Sequence, residues 1–131
     1  MKKGFTLIEL LAVITLLALL ATLAIPGVMR ISKDMKKNMY CKKIDGIITD
    51  VERYAQDHIS EIKTCDNGSN EYSIATLINK GITKSEEKNS TTLNDPYTGG
   101  NLDGKFLVCK KNNRAYASYS SNDTELNNLC D

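Results

Sequence analysis

From Phe5 to Ile25 the chain reads FTLIELLAVITLLALLATLAI, 21 residues whose only polar members are three threonines and Glu9. As a helix rising 1.5 Å per residue, that run is about 30 Å long, the thickness of a bilayer's hydrocarbon core. A fold must either bury it on all sides or give it to lipid. The rest of the chain is poorly equipped to bury it. Of 131 residues 41% are hydrophobic, but nearly all the strongly apolar sequence precedes residue 30, Trp is absent and aromatics are 6%. The run therefore reads as a membrane-anchoring helix, with Met1-Lys2-Lys3-Gly4 as a short basic start. A secretory signal peptide cut after Ala24 has the same outline. It has no use for Glu9, a carboxylate that costs about 2.5–3.5 kcal/mol inside a bilayer on insertion scales.

Lys2-Lys3-Gly4-Phe5-Thr6-Leu7-Ile8-Glu9, followed by a long apolar helix containing Pro26, resembles the class III leader of type IV pilins and related pseudopilins. The resemblance covers residues 2–29 and is loose beyond them. It implies cleavage between Gly4 and Phe5 by a prepilin peptidase on the cytoplasmic face, and methylation of the new N-terminus at Phe5. It also implies a cytoplasmic-membrane precursor that ends in an extracellular filament, driven by an assembly ATPase and a membrane platform protein. The partner along the filament is the chain itself. A type II secretion or competence pseudopilin, forming a short envelope pseudopilus, is the rival within the family; a secreted, disulfide-stapled binding protein is the rival outside it.

Glu9 has a physical role in such a scheme. A buried carboxylate is tolerated when paired, and the α-amino group of Phe5 on a staggered neighbour supplies a cation near its level. Pairing would then set the register of assembly, as one buried Asn does in a coiled coil. Pro26-Gly27 marks the weakest point of the helix, since proline removes a backbone hydrogen bond at roughly 3 kcal/mol and glycine adds about 1 kcal/mol. Either the span ends there, or the pair forms a hinge or melted stretch used in the filament.

Residues 28–63 continue as a helix, so that one helix from Phe5 to about Ile62, about 87 Å long, is apolar all round in its first half and amphipathic in its second. Tyr40, Ile44, Ile47, Ile48, Val51, Tyr54, Ala55, Ile59 and Ile62 recur at three and four, the spacing of one apolar face. Its charges are sorted: Arg30, Lys33, Lys36, Lys37, Lys42 and Lys43 come first, and Asp45, Asp50, Glu52, Asp57 and Glu61 follow. This is either a solvated face or a pair of zones that meet in staggered neighbours. The basic zone also opposes the rule that lysine and arginine collect on the cytoplasmic side; the leader and the cysteines outweigh that count. Gly46 falls on the polar face, and the single histidine, His58, has no partner motif.

Beyond Cys65, Asp66–Asn70 is a loop, and Ser73 caps a short helix over 73–81 ended by Gly81. Residues 83–104 are turn-rich, 105–120 form a β-hairpin about Asn112-Asn113, and 121–131 are a polar tail. The domain organisation is then a leader at 1–4, a hydrophobic transmembrane and filament-core helix at 5–29, and a globular head at 30–131. The fold class is α+β and pilin-like, a long N-terminal helix on a small antiparallel sheet.

Four cysteines in a small extracytoplasmic head imply two disulfides. A continuous helix puts Cys41 and Cys65 about 30 Å apart, which excludes that pair and with it Cys109–Cys130. Cys41–Cys109 with Cys65–Cys130, or Cys41–Cys130 with Cys65–Cys109, remain. Asn94, Asp95, Asn101 and Asp103 make an oxygen-rich loop without the spacing of a calcium-binding loop, so turn chemistry is the simpler account. The Asn-x-Ser/Thr triplets at Asn67, Asn89 and Asn122 fit chance in an Asn-rich chain. With 17 basic against 16 acidic residues, nucleic-acid binding is not expected. No nucleophile–base pair and no metal cluster stands out, so no enzyme, cofactor or metal site is expected.

Overall fold

The computed structural model describes residues 3–131. Its elements are α1 (Leu7–Asp57), β1 (Asn70–Ser73), α2 (Ile74–Asn79), β2 (Lys105–Lys111), β3 (Arg114–Ser120) and α3 (Thr124–Asn127), with single 3-10 turns at Ile59–Glu61 and Cys65–Asn67. The chain divides into two compact units, one ending at Met35 and one running Lys36–Asp131. The architecture is α+β and pilin-like.

In the first unit every described residue is exposed. The helix there is long and apolar enough to cross a membrane, and none of its apolar window is buried. Thr15 and Thr22 turn their hydroxyls onto the Leu11, Ala12 and Leu19 carbonyls, which satisfies them within the helix. α1 also continues through Pro26. This matches the continuous helix expected through Pro26; the proline costs it one bond, to the Thr22 carbonyl.

In the second unit, α1 presents Tyr40, Ile44, Ile47, Val51 and Ala55 to a core completed by Ile62, Ile74, Leu77, Leu93, Leu102, Phe106, Val108, Ala115 and Leu126. The sheet order is β1-β2-β3, antiparallel throughout, with Phe106 opposite Tyr119 and Val108 opposite Ala117. Alternation along β2 sends Phe106 and Val108 inward and leaves Lys105 outside. The hairpin turns at Asn112 and Asn113, both at positive φ (51° and 61°), as the primed two-residue turn requires.

The helix ends at Asp57, six residues short of the expected 63. His58 leaves helical geometry at φ −115°, ψ 34°, and Ile62 is extended. That bend brings Lys63 beside β2, where the Lys110 N–H donates to the Lys63 carbonyl at 2.8 Å and the Lys110 Nζ donates to the Ile59 carbonyl at 2.8 Å. A helix carried on to 63 would take both contacts away.

Ser73 caps α2 as expected, its hydroxyl accepting from the Thr76 N–H at 3.2 Å. Two further elements go beyond the expectation, one between the loop ending at Asn70 and the Ser73 cap, the other in the tail. Asn70–Ser73 pairs with β2 as β1, and Thr124–Asn127 forms α3 behind an Asp123 cap. Gly104 sits at φ +95°, and a Cβ on it would lie 2.3 Å from the Ser120 carbonyl oxygen. Only glycine fits that crossing.

Candidate functional site

The chemistry-bearing residues concentrate at the two ends of the first 41 residues. Lys3–Thr6 precede the helix and are exposed, so the Gly4–Phe5 peptide bond lies in accessible, non-helical chain. Among the described residues, nothing lies within 4 Å of a Cβ placed on Gly4. The fold itself therefore makes no demand for glycine at that position.

The helix start is fixed two residues further on. Thr6 accepts the first helical bond, from the Leu10 N–H to its carbonyl at 3.2 Å. Its hydroxyl accepts from the Glu9 N–H at 3.3 Å, and its own N–H donates to Glu9 Oε2 at 3.0 Å. This is a reciprocal capping box, each side chain satisfying the other residue's backbone donor. The Thr6-x-x-Glu9 spacing ahead of an apolar run announces it, a local partner for Glu9 besides the expected intermolecular one. Glu9 has a local task before any neighbour arrives.

Of the other residues singled out, Pro26 and Gly27 lie inside α1 with open space around the glycine. Gly46 is also open. The cysteines pair as Cys41–Cys130 (Cα–Cα 5.5 Å) and Cys65–Cys109 (4.8 Å), one of the two combinations left open by the sequence. The bridges are nested. The inner one fixes the bend after α1 to β2, and the outer one fixes the α3 tail to the point where α1 enters the core.

The oxygen-rich loop is occupied by its own backbone. Asp95 is buried; its Oδ1 accepts the Tyr97 and Thr98 N–H groups at 2.8 and 3.2 Å, and Leu93 and Leu102 pair across the turn. The Asp103 Oδ1 accepts from the Ser121 hydroxyl at 3.2 Å. Among the described residues no group of three or more His, Cys, Asp or Glu is placed to hold a metal ion. His58 stacks on Tyr54 with centroids 4.2 Å apart, and its Nδ1 is 2.9 Å from the Tyr54 carbonyl, so it closes the end of α1.

The sorted charges divide between local and free. Lys43 pairs with Glu86 and reaches the Asn94 carbonyl, and its ammonium beside Glu86 holds that carboxyl below its ordinary range. Glu52 accepts the Ala117 N–H at 2.9 Å, and Gln56 accepts that of Ala115 at 3.0 Å. These two side chains cover the free edge of β3, where an uncovered strand invites a further one. Arg30, Lys33, Lys36 and Lys37 are exposed and make no ion pair among the described residues. At the top of the same stretch Tyr40 is 1% exposed and its hydroxyl has no hydrogen-bond partner among the described residues. Burial pushes its phenol well above the ordinary range, with nearby Tyr119 adding to the shift.

Comparison with known proteins bears on the N-terminal segment. Residues 1–25 match the family model described as the prokaryotic N-terminal methylation motif. No curated protein and no solved structure matches the chain. An apolar helix directly behind such a motif suits a membrane-anchored precursor. The chain thus carries, ahead of a pilin-like α+β fold, the class III leader of type IV pilins and pseudopilins.

Proposed function

We propose that this protein is the structural subunit of a type IV pilus and has no catalytic role. A prepilin peptidase cuts between Gly4 and Phe5, Phe5 becomes the N-methylated terminus, and the apolar helix moves from the membrane into the core of an extracellular filament used for adhesion, motility or aggregation. An assembly ATPase and a platform protein drive that transfer. The observation that carries this is the methylation motif leading into a helix with no buried residue before Tyr40. So large an apolar surface needs lipid first and neighbouring helices afterwards.

The residues support each step. Gly4 and Phe5 are accessible and outside the helix, and the glycine answers to the peptidase since the fold does not need it. Once cleaved, Phe5 offers an α-ammonium close to Glu9, and Glu9 exchanges its cap on Thr6 for the amino group of a neighbouring subunit. Pro26-Gly27 is the part of α1 that yields when the span leaves lipid.

Three variants separate the roles of Glu9. Glu9→Gln keeps an acceptor for the Thr6 N–H and removes the charge; Thr6→Ala removes the cap and keeps the charge; Glu9→Ala removes both. Surface fibres counted by electron microscopy should fall at least tenfold for Glu9→Gln and Glu9→Ala, and much less for Thr6→Ala. Equal losses for Thr6→Ala and Glu9→Ala, with Glu9→Gln normal, would reduce Glu9 to a helix cap. Correct cleavage with no long fibres under any condition would favour the pseudopilus.

A further inference from the structure

Four cations, Arg30, Lys33, Lys36 and Lys37, follow the apolar span within eight residues of α1, with Asp34 the single acid among them. Each is exposed, and none takes part in an ion pair among the described residues. Counted from Leu7, about 20 helical residues cross the hydrocarbon and end near Pro26. The four side chains then start roughly 6 to 17 Å past that edge, at 1.5 Å per residue. The headgroup layer occupies about 5–7 Å on each face, the Debye length adds about 8 Å, and long basic side chains bend toward the interface. All four therefore lie in reach of lipid phosphates.

We propose that Arg30, Lys33, Lys36 and Lys37 form a contact for anionic phospholipid at the outer membrane surface of the unassembled subunit. Basic residues flanking a span on its translocated side work against the charge bias that orients it, and an anionic partner on that side lowers the cost of keeping them there. Lipid headgroups are present wherever the span is inserted. In the acidic stretch of a second copy Glu52 is spent on the Ala117 N–H, while Asp45, Asp57 and Glu61 are exposed, so a second copy is the rival that the test separates from lipid. The contact holds the subunit in the membrane until extraction breaks it. This inference rests on the membrane-anchored reading and makes no use of polymerisation.

The test uses the whole chain, unassembled, in vesicles of phosphatidylcholine containing trace spin-labelled phosphatidylglycerol or spin-labelled phosphatidylcholine. The protein-bound fraction of each label is read by electron spin resonance. Wild type should prefer phosphatidylglycerol by more than tenfold at low salt, above the roughly fivefold that one juxtamembrane cation such as Arg30 supports alone, with the preference fading toward 1 M salt. Lys33→Gln, Lys36→Gln and Lys37→Gln combined should lose most of it. Lys88→Gln with Lys111→Gln, two exposed head lysines, should keep it. No preference in wild type, or one the triple variant retains, overturns the contact. Loss of fibres in the triple variant without any lipid preference would assign these side chains to a second copy instead. Absent cleavage at Gly4 would overturn the pilin reading and leave the lipid result standing.

Discussion

Residues 7–39 and 40–57 belong to one helix, yet the first stretch buries nothing and the second places every three or four residues in a core. Helix propensity does not separate them, since both stretches are helical. The difference lies in what each can find to cover it. Tyr40, Ile44, Ile47, Val51 and Ala55 meet a sheet made by their own chain, whereas Leu7–Ile25 is apolar on every side and exceeds what a head of this size can wrap. The first stretch must be covered from outside, by lipid or by other copies. The head thus covers its own stretch of the helix, and the first stretch is left for something else to cover.

The largest test of that contrast is a pair of truncations. Phe106→Ala removes a side chain that is fully buried and should cost about 3–5 kcal/mol, lowering the head's midpoint by roughly 15 °C or more. Leu16→Ala, 60% exposed in the span, should leave the melting of the head unchanged in detergent. Equal shifts for the two variants would break the division.

Next come the devices that let so small a core hold. Replacing Cys41 and Cys130 together by Ser removes the outer bridge, whose 89-residue loop is worth roughly 4 kcal/mol in the chain-entropy model. Gly104→Ala should cost several kcal/mol, on the order of 3, because a Cβ meets backbone 2.3 Å away at φ +95°. Chemical denaturation of the oxidised protein measures both, and a loss under about 1 kcal/mol for either would contradict its assigned place.

How far these features could be read beforehand depends on whether their cause is local. The buried stripe is a local pattern, and the sequence carried it down to Tyr40 as its first member. The hairpin is local too, through Asn112-Asn113. β1 is different: Asn70-Glu71-Tyr72-Ser73 has no strand character of its own and is a strand because β2 offers it an edge. The early end of α1 at Asp57 is likewise imposed from a distance, by the anchoring of Lys63 and Cys65 on β2. The disulfide pairing needed the position of the tail, which no spacing fixes. At the N-terminus the Gly4–Glu9 motif was plain, and the Thr6-x-x-Glu9 cap lay in the same letters, hidden by the more prominent use for the carboxylate. Glu52 and Gln56 gave no sign of covering a strand edge, because the strand lies some sixty residues further on.

Smaller effects sharpen the picture where the buried face begins. Tyr40→Phe removes a buried hydroxyl that has no partner among the described residues and should stabilise the head by about 1 kcal/mol. The sign of its pH effect follows from the raised phenol. The fold holds the protonated form, so this stability is fully present below the ordinary tyrosine value of 10.0 and is lost as pH rises above it. Thermal melts should show wild type weakening above about pH 10 more steeply than Tyr40→Phe, with Tyr72 and Tyr119, also raised by burial, accounting for what remains. Identical pH profiles would show that the hydroxyl reaches water. The smallest change is Glu86→Gln, which loosens the pair between a half-exposed Glu86 and a largely covered Lys43 and should cost about 0.2–1 kcal/mol.

The most direct measurement is the intact mass of the protein in material sheared from the cell surface. Processing and polymerisation predict a chain without Met1–Gly4, carrying one added methyl group, that gains four hydrogens when its two disulfides are reduced. A chain beginning after Ala24 and found only in the soluble supernatant would contradict it, because the helix that needs covering from outside would then be gone.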